Sequence, residues 1–191
     1  MATLRYFAYG SNMLRERLVA RVPTAQAMAV GVVRDYRLDF AKVSVDGSGK
    51  GDMVPSPGDE VWGVLYEFDA SQKADLKEQE GRHYQAHEVV VSTTDGNQAA
   101  WAYMAQPHRR DPVKVPYDWY LALIIAGSRQ GGLPEAYIQA VEVTAFDVDC
   151  EEDRTARQEA LAALAEAEML GVLDEVRQRE VLTTGGISHG C

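Results

Sequence analysis

The constraint that weighs most on this chain is where its strand-like and helix-like runs fall. Leu4 to Ala8, Ala27 to Val33, Tyr36 to Phe40, Glu60 to Phe68, Glu88 to Thr93 and Ala99 to Ala105 are short runs rich in β-branched and aromatic residues. Clusters of Gly, Pro, Asp and Asn separate them, as expected of strands joined by turns. Met13 to Val19, Asp69 to Gln79 and Tyr117 to Ile125 read as helices set among these strands. Beyond Asp149 the pattern changes. Residues 151–182 are rich in Ala, Glu, Arg and Leu, with Leu161, Leu164, Leu170, Leu173 and Val176 near helical spacing and a kink expected at Gly171. The reading is one β-rich core with a few helices (residues 1–149), a helical extension (150–182) and a glycine-rich tail expected to be disordered (183–191). A length of 191 residues, 46% hydrophobic and 25% charged, suits one sizeable core plus an appendage.

The same composition excludes several function classes. The longest uninterrupted apolar stretch runs only from Leu121 to Ala126, against the ~20 residues a bilayer crossing needs. Met1 to Phe7 lacks the charged start, apolar centre and cleavage site of an export signal, so a cytoplasmic location is expected. A formal net charge of -10 repels phosphate backbones and anionic headgroups, so neither nucleic acid nor membrane is an expected partner. His108, Arg109 and Arg110 read as a solvated loop. Cys150 and Cys191 lie far apart with no Cys-x-x-Cys pair, which argues against a disulfide framework and a thiolate zinc site. Cys191 reads as an exposed thiol.

Several tempting motifs fail on inspection. Asp46 to Gly51 contains Gly-Ser-Gly-Lys-Gly, but Ser44 stands where a phosphate loop needs its first glycine and Gly51 where it needs a hydroxyl. This segment reads as a mobile loop, with Pro55, Pro57 and Gly58 marking a turn soon after. His83 and His87 stand four apart without the glutamate of a metalloprotease helix and read as surface residues. No Gly-x-Ser-x-Gly elbow occurs, so neither Ser11 nor Ser128 has the setting of a hydrolase nucleophile. No cofactor motif is present, and no metal is expected.

One constellation survives. Tyr6-Phe7-Ala8-Tyr9-Gly10-Ser11-Asn12-Met13 places a glycine-containing turn between a strand and a helix start, where unpaired backbone N–H groups favour an anion or a developing oxyanion. An ordinary N-cap by Ser11 or Asn12 fits the same residues equally well. Glu80 falls where the Asp69 to Gln79 helix ends, just before Gly81, yet by position alone Glu67, Glu78 and Glu88 are equally eligible acids.

Five stretches taken together break that tie. Tyr9-Gly10-Ser11-Asn12, Leu14-Arg15-Glu16-Arg17-Leu18, Ser56-Pro57-Gly58-Asp59-Glu60-Val61-Trp62-Gly63-Val64, Glu78-Gln79-Glu80-Gly81 and Gly132-Leu133-Pro134 resemble, in that order and with similar spacings, the γ-glutamylcyclotransferase family. The resemblance covers roughly Leu4 to Val148, and Phe40-Ala41-Lys42 with the loop after it looks more like bacterial members than animal ones. Lys42 stands where some members have asparagine. The resemblance implies an α+β fold around a mixed, partly closed β-sheet, with no metal or organic cofactor. It implies Glu80 as the acid/base. It also implies Tyr6, Phe7, Ala8, Tyr9, Gly10 and Ser11 around a γ-glutamyl group, Asn12 supporting the turn, and Tyr120 as a further substrate contact. Tyr117 lies close enough for a register error to exchange it with Tyr120.

The implied reaction needs no serine or cysteine. The α-amine of a γ-glutamyl amide closes a five-membered ring onto its own γ-carbonyl and releases 5-oxoproline and an amine, so proximity is intramolecular. A carboxylate that moves a proton from that amine to the leaving nitrogen completes the requirement. The small-molecule substrate is thus a γ-glutamyl compound, with the leaving amine open. A non-catalytic γ-glutamyl-binding module and an amide hydrolase on the same scaffold remain the alternatives. Residues 151–182 are expected to pack on the core or on a second subunit, as in a homodimer.

Overall fold

The computed structural model describes residues 2–183. Five strands, β1 (Thr3–Ala8), β2 (Gln26–Val43), β3 (Gly49–Asp69), β4 (Tyr84–Thr93) and β5 (Gly96–Ala105), close into a barrel in the order β1-β3-β2-β4-β5. Two antiparallel hairpins, β2–β3 and β4–β5, supply most of the pairing. They meet at narrow seams: β2 pairs with β4 only at Gly31–Thr93 and Val32–Ser92, and β5 closes on β1 through one parallel bridge, Tyr6–Trp101. The architecture is the mixed, partly closed sheet expected of an α+β chain.

The strands are longer than the sequence suggests. Residues 27–33 and 36–40 belong to one strand because Asp35, at φ 64°, absorbs a bulge instead of ending the run. Opposite it, β3 runs through Pro55 and Pro57 and bulges outward at Gly58, φ 89°, whose N–H donates to Asp35 Oδ1 at 3.0 Å. The expected Gly-rich loop shrinks to a hairpin tip, because β3 already begins at Gly49, with Gly49 and Lys50 paired to Val43 and Lys42. Lys50 Nζ binds Asp46 Oδ2 at 2.9 Å and Ser48 Oγ at 2.7 Å, which pins the tip. The basic group 108–110 is likewise not merely solvated. Arg110 Nε donates at 2.5 Å to Asp52, a fully buried carboxylate that also accepts the Ala105 N–H.

Among the described residues six helices follow the strands or cross between them. They are α1 (Arg15–Arg21), α2 (Lys73–Glu80), α3 (Asp118–Gly131), α4 (Glu135–Glu142), α5 (Thr155–Glu166) and α6 (Gly171–Thr183). The sequence reading misses α4 and stops α3 short at Ile125. Residues 118–128 of α3 are all buried, as an all-round apolar helix must be. The 3-10 turn Ser11–Met13, α4, α5 and α6 pack around it.

Residues 150–182 pack on this core. Leu164, Val172, Leu173 and Val176 join the same apolar cluster as Tyr6, Leu14 and Trp119. Asp149, with 2% of its side chain exposed, accepts from Trp119 Nε1 at 2.8 Å and Arg154 Nε at 2.7 Å. Arg177 Nε donates at 2.7 Å to Asp118 Oδ2, so a fully buried carboxylate of α3 has its partner on α6. The break between α5 and α6 precedes Gly171. Glu168, at φ 58°, ends α5 while the N–H groups of Glu168 and Met169 return to the carbonyls of Ala165 and Leu164, a Schellman closure. Cys150 is disulfide-bonded, which departs from the sequence argument against a disulfide framework; Cys191 and the rest of the expected tail, 184–191, lie outside the described residues.

Gly127 sets how closely α3 approaches the opening turn, since a Cβ there would stand 2.4 Å from the Leu14 backbone nitrogen. Gly127→Ala is expected to push the turn off α3 and lower the unfolding free energy by about 1–3 kcal/mol in urea melts. Gly171→Ala, whose Cβ meets nothing within 4 Å, is the control and should hold or slightly raise stability.

Candidate active site

Three elements bring the site together at one end of the barrel. β1 ends at Ala8, and its alternation sends Tyr6 and Phe7 to opposite faces. Tyr6 lies in the cluster shared with the helices, and Phe7 inside the barrel with Met53 and Val61. The chain then turns through Gly10 into the 3-10 turn, where Met13 N–H returns to the Gly10 carbonyl at 2.9 Å. Gly10 has φ -114°, so its backbone does not demand glycine. A Cβ there would make only ordinary van der Waals contact, 3.5 Å from the Tyr120 hydroxyl, so a larger side chain is what would crowd the pocket.

α2 delivers Glu80. Asp69 caps the preceding turn by accepting the Ser71 N–H at 2.9 Å. Of residues 73–80 only Leu76 is fully buried. Glu80 follows Leu76 by four residues and so shares its inward face. Ala74 and Lys77, on the rest of the helix, are exposed. Gly81, at φ 77°, ends the helix directly after the carboxylate.

Asn12 ties these pieces together. Its Nδ2 donates to Glu80 Oε1 at 2.6 Å and to the Tyr6 hydroxyl at 3.1 Å, and its Oδ1 accepts from Arg21 Nη1 at 3.0 Å. A guanidinium can only donate, so Arg21 fixes which way the Asn12 amide faces. Arg21 also stands 3.9 Å from Glu80 Oε1. Both groups address Oε1, and among the described residues no hydrogen bond reaches Oε2.

The pocket beside Glu80 is lined by Tyr6, Tyr9, Gly10, Ser11, Asn12, Gly51, Tyr84, Tyr103 and Tyr120. It is narrow, about 30 Å³. Tyr84 donates to the Gly51 carbonyl at 2.5 Å, Tyr120 accepts the Gly51 N–H at 3.0 Å, and Tyr9 donates to the Tyr103 carbonyl. Burial raises the pKa of all five phenols. Nearby charge adds to this, from Glu80 at Tyr6 and from Asp52 at Tyr9. Tyr84 and Tyr120 follow the same direction, and Tyr103 is pushed up to about 12. The walls are therefore neutral hydroxyl groups around one carboxylate.

Of the residues singled out in the sequence, Tyr6, Tyr9, Gly10, Ser11, Asn12, Glu80 and Tyr120 converge here, whereas Phe7 and Ala8 pack behind the turn and do not line the pocket. Tyr117 lies elsewhere, donating to the Asp46 carbonyl at 3.2 Å. Gly51, Tyr84, Tyr103 and Arg21 go unread in the sequence. Arg21 alone left a signal, standing at i+4 from Arg17 on a helix beside the turn. No group of three or more His, Cys, Asp or Glu that could hold a metal occurs among the described residues. No described helix is long and apolar enough to cross a membrane.

A closed mixed barrel with one carboxylate, held by an asparagine, lining a pocket of phenols defines the class of protein to which the chain is to be compared. Residues 60–141 match the AIG2-like family. The chain is 36% identical over 152 residues to the γ-glutamylcyclotransferase of Mus musculus, covering 73% of this chain and 79% of that protein. It is 36% identical over 149 residues to the Homo sapiens protein of the same name, covering 72% and 78%. A solved structure described as a γ-glutamyl cyclotransferase superposes with TM-score 0.76 at 29% identity, over 84% of this chain and 99% of the other. The chain belongs to the γ-glutamylcyclotransferase family. These mammalian relatives lend nothing to the bacterial likeness of Phe40-Ala41-Lys42.

Tyr120→Phe is expected to lower stability by about 1–3 kcal/mol, since the buried Gly51 N–H loses its acceptor. Tyr117→Phe should cost about 1 kcal/mol or less by the same denaturant measurement.

Proposed function

We propose that this enzyme is a γ-glutamylcyclotransferase in which Glu80 moves the proton that ring closure requires. The observation that carries the reading is the Glu80 carboxylate, gripped at Oε1 by Asn12 and facing a pocket of phenols and the glycine turn.

The γ-glutamyl head would enter beside Gly10 and Ser11, widening the narrow pocket by side-chain movement of the kind common on binding. Glu80 Oε2 takes a proton from the α-ammonium, and the freed nitrogen attacks the γ-carbonyl carbon. As that carbon becomes tetrahedral its oxygen gains charge, which the first N–H groups of the Ser11–Met13 turn and the pocket hydroxyls are placed to receive. Glu80 then returns its proton to the leaving nitrogen as the amide C–N bond breaks, and the ring nitrogen's surplus proton leaves through solvent. One C–N bond forms and one breaks, so no water is consumed. Arg21 is a positioning residue in this scheme. By steering Asn12 it keeps Oε1 occupied and Oε2 available. A cytoplasmic setting belongs to the same proposal, and the redox state of Cys150 in protein isolated under non-reducing conditions would test it.

Glu80→Gln keeps the shape and can still accept from Asn12. It is expected to abolish 5-oxoproline release from γ-glutamyl amino acids, a loss of at least about a hundredfold in kcat, while the melting temperature stays near that of the parent. Near-normal turnover in that variant would remove the mechanism, and free glutamate in place of 5-oxoproline would make the enzyme a hydrolase.

A further inference from the structure

Gly51 belongs to the pocket wall through its backbone. Its N–H donates to the Tyr120 hydroxyl at 3.0 Å and its carbonyl accepts from Tyr84 at 2.5 Å, so the peptide groups of one residue orient two of the pocket phenols. The sheet ladder does not hold it there. Register between β2 and β3 slips between Asp39–Asp52 and Lys42–Lys50, and Gly51 falls in the slip, a bulge of the kind that re-aims groups beside active sites. Its two neighbours hold it instead. Asp52 is tied to Arg110 and to the Ala105 N–H. Lys50 lines a larger cavity of about 490 Å³, which shares Ser11, Glu80, Tyr84 and Tyr120 with the pocket and is also lined by Arg17, Lys42 and residues 153–156.

Lys50 is deeply set for a lysine, with 12% of its side chain exposed. Besides Asp46 and Ser48, its ammonium lies against three rings at the start of α3, 4.4 Å from the centre of Trp119, 4.7 Å from Tyr120 and 5.7 Å from Tyr117. A cation on a ring face is attracted by the ring quadrupole, most strongly where water is excluded. Tyr120 therefore has Lys50 on its face and the Gly51 N–H on its hydroxyl, and two consecutive residues of β3 fix one phenol. Burial, with repulsion from Lys42 and Arg17, outweighs Asp46 and brings the Lys50 ammonium down to about 8. The other charges around the cavity are Arg154, held by Asp149 and Glu151, the Glu80–Arg21 pair, and exposed Asp153. A folded pKa below the ordinary lysine value means that this group costs stability at neutral pH, and that stability through it recovers as pH rises past about 8. Closing a hairpin tip needs no such charge, since apolar residues can replace a buried ion pair without loss.

We propose that Lys50 is a positioning residue for the γ-glutamyl pocket: caged by Tyr117, Trp119 and Tyr120, its ammonium fixes Gly51 and the Tyr120 phenol where they meet the substrate head, and loss of that charge loosens the wall without unfolding the enzyme. The identity of the ligand rests on the cyclisation reading above. The consequence is an alkaline limit to binding. The pocket phenols do not supply it, because burial holds each of them above the ordinary tyrosine value.

The test is the calorimetric affinity for 5-oxoproline, which has no amine to titrate, on either side of the Lys50 transition, near pH 7 and about pH 9.5. In the parent enzyme affinity is expected to fall about fivefold or more as Lys50 loses its proton. Lys50→Met and Lys50→Arg carry no group at that position that titrates in this range, so affinity should be flat with pH in both. At neutral pH the Met variant should bind about fivefold more weakly than the parent and the Arg variant, which keeps the cation, closer to it. Buried Lys42 also titrates low, so an alkaline fall that persists in both variants belongs to Lys42 and would overturn the proposal. Parent-like affinity in Lys50→Met would do the same. Hydrogen exchange of the Gly51 amide gives a reading free of ligand: its protection should drop about tenfold in Lys50→Met while that of Leu123 in α3 holds, whereas a general loss of stability would lower both. Unchanged protection at Gly51 would also overturn the assignment. Failure of the parent to bind or release 5-oxoproline would instead overturn the cyclisation reading, while Gly51 exchange still decides what Lys50 holds in place.

Discussion

The Asn12 side chain is the contact on which the site depends. Glu80, Tyr6 and Arg21 come from a helix, a strand and another helix, separated by up to 74 positions in the chain, and one amide group touches all three. Its own place is set from below. The 3-10 turn that carries it rests on α3, whose Gly127 allows backbone to approach backbone. A carboxylate at the end of an eight-residue helix would otherwise be held by Leu76 one turn earlier and a long ion pair with Arg21 at 3.9 Å. Short helices are marginal by themselves. The amide converts a loosely held acid into one with a defined free oxygen.

The barrel serves this arrangement by closing late and narrowly. β1 and β5 touch through a single bridge at Tyr6 and Trp101, and that bridge lies directly beneath the pocket. Tyr6, Trp101 and Tyr103 then meet ring to ring, with centroids 5.0 to 6.3 Å apart. Such aromatic pairs contribute about 0.5–1.5 kcal/mol each beyond their burial. The seam that closes the barrel is thus also the floor of the site. A shift in one would be felt in the other.

Much of this was legible in the residues, and the parts that were not share a cause. The opening strand, its glycine turn and the helix leading to Glu80 are local features, readable from spacing and capping. The Asp46 to Gly51 segment carries the Gly and Ser of a turn, yet Gly49 already pairs with Val43 at the tip of the β2–β3 hairpin, so the turn signal marks only the tip and not a loop. Pro55, Pro57 and Gly58 misled in the same way, since their turn signal marks a bulge answered by Asp35 across the sheet. Tyr84, Tyr103 and Gly51 reach the pocket only once the barrel closes. Nothing in their local sequence distinguishes them from core tyrosines or a turn glycine. Residues that act through long-range pairing are invisible to a reading built on neighbours.

The charge of the chain bears on how the site meets a small charged molecule. At -10 overall, the surface repels small anionic substrates, but that repulsion fades beyond about 8 Å at physiological ionic strength. Inside the cavity the balance reverses, because most local acids are committed to Lys50, Arg21 or Arg154 while Arg17 and Lys42 are not. Attraction there is short-ranged and little screened by salt. The protein therefore gains nothing from steering anions toward itself across solvent.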